Sequence, residues 1–329
     1  MLFETTLNQM LVLVIFIIIG FIIQKAKIVP ENSSTVISKL ENNLLIPALI
    51  LNALMYTKDI VSNLPIVLFG AIVVAVTMAV GYVIVRLLTK DKYLQTIYGY
   101  GLYFSNFSFM GNAVVQEIFS PEIFSNYMLF TIPAQILVFG WAVPFLLTPK
   151  KEELEGLDGK VKFDNSENKQ SFFVKFIKPF LNPTIICVVL GLVFALTGFG
   201  DVLQANVPFA TNVVKGLANC MSPLAMILTG MIIAKYNFKQ TLKNPVVYIL
   251  TALRLLVFPL VFGYLASLII TDYSWMVCIV CFLGMPLGLS SVIIPTAYGK
   301  DTSVAACLAL VSHVLCVATI PLIFLILIG

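Results

Sequence analysis

Long apolar runs separated by short polar links make up most of the chain. A helix needs about 20 mostly apolar residues to cross a bilayer. The sequence holds ten runs of about that length, which we call spans 1 to 10. They cover residues 8–25, 34–56, 64–88, 95–119, 124–148, 182–199, 207–234, 245–270, 273–298 and 302–328. The pattern therefore predicts an all-α polytopic membrane protein with ten transmembrane helices.

Two of these spans are interrupted by polar and glycine-containing stretches. Span 4 carries Ser-Asn-Phe-Ser-Phe-Met-Gly-Asn-Ala at 105–113, and span 9 carries Gly-Met-Pro-Leu-Gly-Leu-Ser-Ser at 284–291. An unpaired polar group in hydrocarbon costs several kcal/mol, so such stretches persist only inside protein or beside a polar cavity. Interrupted helices at matching positions of two halves are typical of a transport site.

A second match relates spans 2 and 7, because each contains Lys-x-x-x-Asn-x-x-x-Pro. The two triplets are Lys39, Asn43 and Pro47, and Lys215, Asn219 and Pro223. Four-residue steps place the members of each triplet on one helix face. Five helices per half is an odd number, so the halves insert with opposite orientation. We predict two inverted five-helix repeats, 1–148 and 182–329, joined by a cytoplasmic linker and amphipathic segment at 149–181.

The distribution of lysine and arginine fixes the predicted orientation. With ten spans, nearly all link lysines fall on one side of the membrane, and Lys58 is alone on the other. Positive residues stay cytoplasmic, so the linker is inside and both termini are outside. The segment 172–180 looks amphipathic and suits the inner membrane surface. We expect a multi-pass protein of the plasma (cytoplasmic) membrane.

Composition excludes several other classes of protein. The chain is 60% hydrophobic and 11% charged, unlike a soluble domain, and its net charge of +4 does not indicate a nucleic-acid partner. All six cysteines lie in apolar segments, and Cys278-x-x-Cys281 has no second pair, so neither a metal site nor a disulfide is expected. Acidic residues cluster at helix ends and in links. One histidine and no buried acid pair argue against an enzyme such as an intramembrane protease, and no cofactor is expected.

The two interruptions have the chemistry of an anion site. Each starts a new half-helix, near residues 111–112 and 289–290, whose free N–H groups carry about half a positive charge. Two such ends near the membrane midplane suit a carboxylate, although each polar side chain could instead cap its own break. The candidate binding residues there are Ser105, Asn106, Gly111, Asn112, Met285, Pro286, Gly288, Ser290 and Ser291.

Asn43 and Asn219 each precede a proline by four residues. Pro47 and Pro223 cannot donate to the carbonyl four residues back, so both sites are expected to be kinked. The two amides either pack at these kinks or face the substrate. Lys39 and Lys215 lie nearer the surfaces, where they either extend to the interface or form an anion funnel.

Two ionisable residues lie deeper in the membrane. Arg254 is about 14 Å along span 8, where charged residues are usually functional. It either binds a substrate carboxylate or holds carbonyls at a broken helix. His313, in the middle of span 10, is either a packed neutral histidine or a proton-coupling group.

These residues, in this order, resemble the auxin efflux carrier family in its bacterial branch, which includes malate and malonate permeases. The resemblance covers essentially the whole chain. Its motifs are Asn-x-x-x-Met-Gly at 106–111, Asn-Pro at 182–183, Ser-Pro-Leu-Ala at 222–225, Met-Pro-x-Gly at 285–288, Tyr-Gly-Lys-Asp at 298–301, and 312–321. One departure is Asn112–Ala113, where the family often has a small apolar residue followed by proline.

The resemblance implies that spans 4 and 9 cross where they are unwound. It further implies a scaffold of spans 1, 2, 6 and 7 that forms a homodimer, and a mobile elevator domain of spans 3–5 and 8–10. We therefore predict a secondary transporter of small organic anions, including malate-like carboxylates. Export or exchange is favoured because an anion leaving a negative interior gains about 2.3 kcal/mol per charge per 100 mV. The alternatives are a sodium-coupled symporter of the bile-acid type and a transporter-like membrane sensor.

Overall fold

The computed structural model describes residues 2–57, 60–148, 181–236, 238, 241–298 and 300–329. The predicted amphipathic segment 172–180 and most of the 149–181 linker lie outside these residues. The α-helices are α1 (Leu2–Lys25), α2 (Ser33–Leu40), α3 (Ile46–Leu54), α4 (Ile60–Leu88), α5 (Lys92–Tyr103), α6 (Asn112–Ile118), α7 (Pro121–Leu137), α8 (Pro183–Thr197), α9 (Phe199–Asn206), α10 (Pro208–Ile233), α11 (Pro245–Ala252), α12 (Phe258–Ser267), α13 (Tyr273–Gly284), α14 (Ser290–Ala297) and α15 (Ser303–Leu327).

Shorter helical turns join several of these helices. They are π-helical at Glu41–Leu45, Phe107–Gly111, Val138–Leu147 and Leu253–Val257, and 3-10 helical at Thr241–Lys243. Pro47, Pro144 and Pro259 lie within or just after three of the π-helical turns. Proline lacks an N–H and crowds the carbonyl four residues back, which a wider turn relieves. The prediction of an all-helical protein is confirmed for the described residues, whose extended pairing is limited to one isolated bridge.

Six helical stretches are long and apolar enough to cross a membrane. They are Leu2–Lys25, Asn63–Leu88, Pro121–Leu147, Pro208–Ile233, Pro245–Ser267 and Ser303–Leu327. α8 and α9, bent by 86° at Gly198, count as a seventh if they form one span. Spans 2, 4 and 9 are helical but divided into shorter pieces. A multi-pass membrane protein is thus confirmed among the described residues, while the count of ten spans stays a prediction.

Helix starts follow the expected capping chemistry. Asp91, Ser120, Asn182, Asn244 and Asp272 each accept a hydrogen bond from a backbone N–H in the first turn of the helix that follows. Such residues satisfy donors that have no partner within the helix. The predicted start of span 6 at the Asn-Pro pair is confirmed, with proline at the first helical position, where its missing N–H costs nothing.

The helices pack as two groups with a shared boundary. α1 lies along α10, α3 contacts α8 and α10, and α9 contacts both α8 and α10. In the second group α4 packs on α5 and α7, and α13 packs on α7, α12 and α15. The two groups meet where α1 contacts α15 and α3 contacts α7. α13 is the centre of the second group, and its residues from Val277 to Leu283 are almost completely buried.

Candidate functional site

The interruptions predicted in spans 4 and 9 contact each other directly. We call residues 104–106 the first break and residues 285–289 the second break. Ser105 and Leu287 form an antiparallel bridge. The Asn106 N–H donates to the carbonyl of Pro286 at 2.7 Å. Backbone groups left unpaired by each helix end are therefore paired with the opposite break, which is how irregular backbone is tolerated at this depth.

A half-helix follows each break, and one of the two begins at a different residue from the one predicted. The second begins at Ser290, as predicted. The first begins at Phe107, in the π-helical turn, and not near Gly111. Asn112 is consequently one turn inside this half-helix, with helical backbone angles. The Asn106 carbonyl accepts from both Met110 N–H and Gly111 N–H and so starts the helix early. The position of Asn106 is fixed by a tertiary contact, because its N–H donates to the Pro286 carbonyl.

Three serines hold the backbone of the breaks in place. The Ser105 hydroxyl donates to the Phe282 carbonyl at 2.6 Å. The Ser291 hydroxyl donates to the Gly288 carbonyl at 2.9 Å. The Ser312 hydroxyl accepts from the Leu287 N–H at 3.3 Å. Ser291 bonds within its own break, whereas Ser105 bonds across to the helix that leads into the other break. The sequence had not assigned Ser312 to the site.

Arg254 holds the ends of the two helices that lead into the breaks. It is fully buried, and its guanidinium donates to the carbonyls of Phe282 at 2.9 Å, Leu102 at 3.1 Å and Met285 at 3.4 Å. Leu102 lies at the end of α5, and the other two carbonyls lie at the end of α13. Helix C-termini carry partial negative charge, so the guanidinium is stabilised by two of them together. Of the two predicted roles, this geometry favours the structural one.

Asn106 and His313 form a buried polar pair. Asn106 Nδ2 lies 2.9 Å from His313 Nε2, and His313 Nδ1 lies 2.7 Å from the Ala309 carbonyl oxygen. A carbonyl only accepts, so Nδ1 carries the proton and Nε2 accepts from the amide. This arrangement is that of a neutral histidine. It leaves Asn106 Oδ1 buried without a hydrogen-bond partner.

Asn112 is the other unsatisfied amide near the breaks. Its side chain is 2% exposed, and neither the oxygen nor the nitrogen has a hydrogen-bond partner. The buried hydroxyl of Ser108 is also unpartnered. Leaving a buried polar group unpaired costs about 1–3 kcal/mol. Asn112 and Ser108 are therefore side chains whose polarity the fold itself does not use, and Asn106 uses only its nitrogen.

The glycines of the breaks permit close packing. A Cβ added to Gly111 would overlap the hydroxyl oxygen of Tyr127, which donates to the Phe107 carbonyl at 3.0 Å. A Cβ at Gly288 would lie 3.0 Å from the ring of Tyr100 and 3.2 Å from the Phe104 carbonyl oxygen. Both positions require the absence of a side chain. Tyr127 is a further contributor that the sequence did not single out.

A small cavity lies between the breaks. Its volume is about 20 Å³. Its walls include residues 107–109 in the first turn of the first half-helix and residues 288–290 at the N-terminal end of the second. Asn42, Tyr100, Ser105 and Asn106 complete its polar lining. The volume is about that of one water molecule. The site is closed in this conformation, and Asn42 from the segment between α2 and α3 forms part of the closure.

A larger cavity, which we call the polar vestibule, lies between α3, α6, α7 and α10. Its volume is about 480 Å³, within the range of ligand-binding pockets. Its polar lining includes Tyr56, Gln116, Ser125, Asn212, Lys215 and Asn219. Lys215 and Asn219 therefore face the same cavity. The related pair in span 2 is exposed as well, and Asn43 donates to the Lys39 carbonyl at 2.8 Å.

One acidic residue departs from the expectation that acids lie at helix ends and in links. Glu41 is completely buried in the π-helical turn of span 2, and neither carboxyl oxygen has a hydrogen-bond partner. The sequence signal was its position between Lys39 and Asn43, inside an apolar span. Glu41 lies two residues from both Lys39 and Asn43, which is about 200° around a helix, so it is placed opposite the exposed face that carries them.

The six cysteines are free thiols, of which Cys187 is half-buried and Cys220 exposed. Cys278, Cys281, Cys307 and Cys316 are buried free thiols, and the described residues contain no cluster of three or more His, Cys, Asp or Glu that could hold a metal.

Searching the chain against curated proteins gives no match. A family model described as "membrane transport protein" matches residues 5–324. Since this match spans nearly the entire sequence, the chain belongs to the membrane transport protein family, the auxin efflux carrier family that its motifs resemble.

Proposed function

We propose that this membrane transporter is a secondary carrier of small organic anions, with a substrate carboxylate bound between the two breaks. One observation carries the proposal. The N-terminal ends of both half-helices, residues 107–109 and 288–290, line the same cavity. A helix N-terminus offers backbone N–H groups without intrahelical partners and partial positive charge, which together favour an anion.

The surrounding charges support the same sign of ligand. Arg254 is bound to the C-terminal ends of α5 and α13, where it offsets their partial negative charge. The electrostatic potential in the cavity is then dominated by the positive N-terminal ends of the half-helices that follow the breaks. A cation would meet this potential unfavourably, so a carboxylate is the better match. Asn106 and Asn112 would add directional contacts to polar groups of the substrate.

We further propose ten transmembrane spans arranged as two inverted repeats, with both termini outside the plasma membrane. The contact pattern supports a division into a scaffold of spans 1, 2, 6 and 7 and a transport domain of spans 3–5 and 8–10. Within the scaffold α1 packs on α10 and α3 on α8, while α4, α5, α7 and α13 pack among themselves. The scaffold would form the homodimer.

An elevator motion accounts for the difference in size between the two cavities. The closed cavity of about 20 Å³ is too small for any organic acid, and Asn42 of the scaffold is part of its wall. Sliding the transport domain along the scaffold would withdraw Asn42 and connect the breaks with the polar vestibule. Lys215 and Asn219 would then be the groups that an anion meets on its way to the breaks.

Ligand-dependent thermal stability tests the anion site. Purified protein would be melted with malate, malonate, lactate and an aromatic acid, and with sodium chloride and neutral sugars as comparisons. A ligand at one hundred times its Kd stabilises by about 2.7 kcal/mol, so the Tm should rise by several degrees with at least one acid. Asn106→Ala should lose this shift, whereas Asn206→Ala, in the exposed end of α9, should keep it. Stabilisation by sugars or cations in place of acids would contradict the proposal.

A further inference from the structure

Glu41 is a buried acid that the anion site does not use. Its side chain is 0% exposed, and both carboxyl oxygens are without hydrogen-bond partners. It begins the π-helical turn Glu41–Leu45, in the middle of a continuous helical stretch from Ser33 to Leu54. Buried polar groups are nearly always paired, so an isolated carboxyl at this position calls for a chemical explanation.

The described elements that pack around Glu41 supply no counter-charge. The π-helical turn packs against α2, α3, α8 and α10. The titratable residues of these helices are Lys39, Cys187, Lys215 and Cys220, and none of them is hydrogen-bonded to or ion-paired with the carboxyl. Lys39, Lys215 and Cys220 are exposed on other faces of their helices.

This environment fits a carboxyl group that carries a proton. An ionised carboxylate without hydrogen bonds or a cation is very costly in a low-dielectric interior. A hard metal cation gathers six or more oxygen ligands, and the described residues hold no cluster of three or more metal-binding side chains that would include this carboxyl. A proton needs only the carboxyl itself, so it is the cation that this site suits.

Glu41 is also next to the residue that closes the anion site. Asn42 follows it in the π-helical turn and lines the small cavity between the breaks. The Asn42 carbonyl also accepts from the Thr184 hydroxyl of α8 at 3.4 Å. π-helical turns differ from α-helical ones by one residue, and they often mark functional positions. A change of the turn at Glu41 therefore moves Asn42 relative to the cavity.

The site occurs in only one of the two repeats. The residue that matches Glu41 in the triplet of span 7 is Leu217, and the helix there is α-helical through Pro223. A proline kink alone thus requires neither the acid nor the π-helical turn. The difference indicates that Glu41 has a role of its own in this chain.

We propose that Glu41 is a proton-binding site whose loading is coupled to transport. With the proton bound, the neutral carboxyl stays buried and Asn42 closes the breaks. When the O–H bond breaks and the proton passes to water, the carboxylate moves toward water, the π-helical turn rearranges and Asn42 withdraws. The coupling to transport rests on the proposed function, whereas the binding of a proton at Glu41 does not.

Infrared spectra and melting curves test the proton site without any substrate. The carbonyl stretch of a protonated acid should be present at neutral pH and weaker in Glu41→Gln. Because the folded protein holds this proton more tightly than the unfolded chain, the wild-type Tm should fall as pH rises from mildly acidic to mildly alkaline. Glu41→Gln should flatten that fall, while Glu117→Gln, at an exposed glutamate of α6, should behave as wild type. An unchanged spectrum and pH response in Glu41→Gln would overturn the proposal.

Proteoliposomes test the coupling, with radiolabelled malonate and malate as probes. A proton gradient should raise wild-type uptake several-fold. Glu41→Gln, whose neutral amide mimics the protonated acid and so keeps Asn42 in place, should lose both this uptake and exchange, whereas Glu117→Gln should keep both. Gradient-driven uptake by Glu41→Gln would contradict the coupling. Stimulation by a sodium gradient that Glu41→Gln abolishes would replace the proton with sodium. Absence of carboxylate transport by the wild type would contradict the proposed function, while the spectra and melting curves would still decide the proton site.

Discussion

At the scale of single residues, Arg254 joins the two halves of the site. Its guanidinium bonds carbonyls at the ends of both α5 and α13. Arg254→Ala leaves three buried carbonyls without these donors, at about 1–3 kcal/mol for each unpaired group. We expect a loss of about 3 kcal/mol or more, seen as a much lower Tm and a small folded fraction on size-exclusion chromatography.

Two further variants separate this role from substrate binding. Arg254→Lys should recover only part of the stability, because an ammonium group cannot reproduce the planar fork. Arg86→Ala removes a surface arginine that stacks 4.2 Å from the Tyr82 ring and should change the Tm little. If Arg254→Ala melted like the wild type but no longer responded to carboxylates, the structural role would be wrong.

Asn106 and Asn112 give opposite expectations for the ligand-free protein. Asn106→Ala removes the donor to His313 Nε2 and leaves that buried acceptor unpaired, which should destabilise by about 1–2 kcal/mol. Asn112→Ala removes an amide that has no hydrogen-bond partner, so its melting temperature should equal or exceed that of the wild type. Melting curves of the two variants, measured side by side without ligand, check this. Equal destabilisation by both would show that Asn112 has a structural partner.

Residue types predicted the location of the site better than the role of each residue. Polar residues at 105–113 and 284–291 marked both breaks, because unpaired groups in an apolar span need a special environment. The sequence left open whether Arg254 binds substrate or carbonyls, since both partners satisfy a guanidinium equally well. Glu41 was missed because the apolar pattern of span 2 does not reveal which face is covered, and that depends on the packing of α8 and α10 against its π-helical turn.

At the scale of elements, the contact between α1 and α10 depends on two glycines. A Cβ at Gly20 would overlap the Ile227 carbonyl, and a Cβ at Gly230 would overlap the Ile17 carbonyl. Small residues that let backbones approach are typical of helix interfaces in membranes. Gly230→Ala should force the helices apart and destabilise by about 1–3 kcal/mol, measured as a lower Tm in detergent.

Gly216 in the same helix provides the matched control. A Cβ there meets nothing within 4 Å. Gly216→Ala should keep or slightly raise the Tm, since alanine is favoured over glycine inside a helix by about 1 kcal/mol. Equal effects of the two substitutions would mean that helix propensity, and not the close crossing of α1 and α10, decides the outcome.

The elements also show which helix starts a local sequence pattern cannot predict. Apolar length predicted the spans, and the Asn-Pro pair predicted where α8 begins, because both depend on local chemistry. The early start of the first half-helix at Phe107 depends on the Asn106 backbone N–H pairing with Pro286 of the other break. That contact joins residues far apart in the chain, so no local pattern contains it.

At the scale of the whole molecule, the two groups of helices meet along a boundary that contains both cavities. The polar vestibule is lined by α3 and α10 on one side and by α6 and α7 on the other. The small cavity is lined by Asn42 on one side and by both breaks on the other. Relative sliding of the groups would change both volumes together, which is how one boundary could serve alternating access.

Membrane orientation gives the last prediction, because the vestibule can serve as an external entrance only if the orientation is right. In a cysteine-free background, Asp201→Cys in α9 should react with a membrane-impermeant maleimide added to intact cells. Lys90→Cys, in the link after α4, should react only after the membrane is opened. Both positions are exposed, so access and not burial decides labelling. Labelling of Lys90→Cys in intact cells would contradict the positive-inside assignment and place the vestibule on the cytoplasmic side.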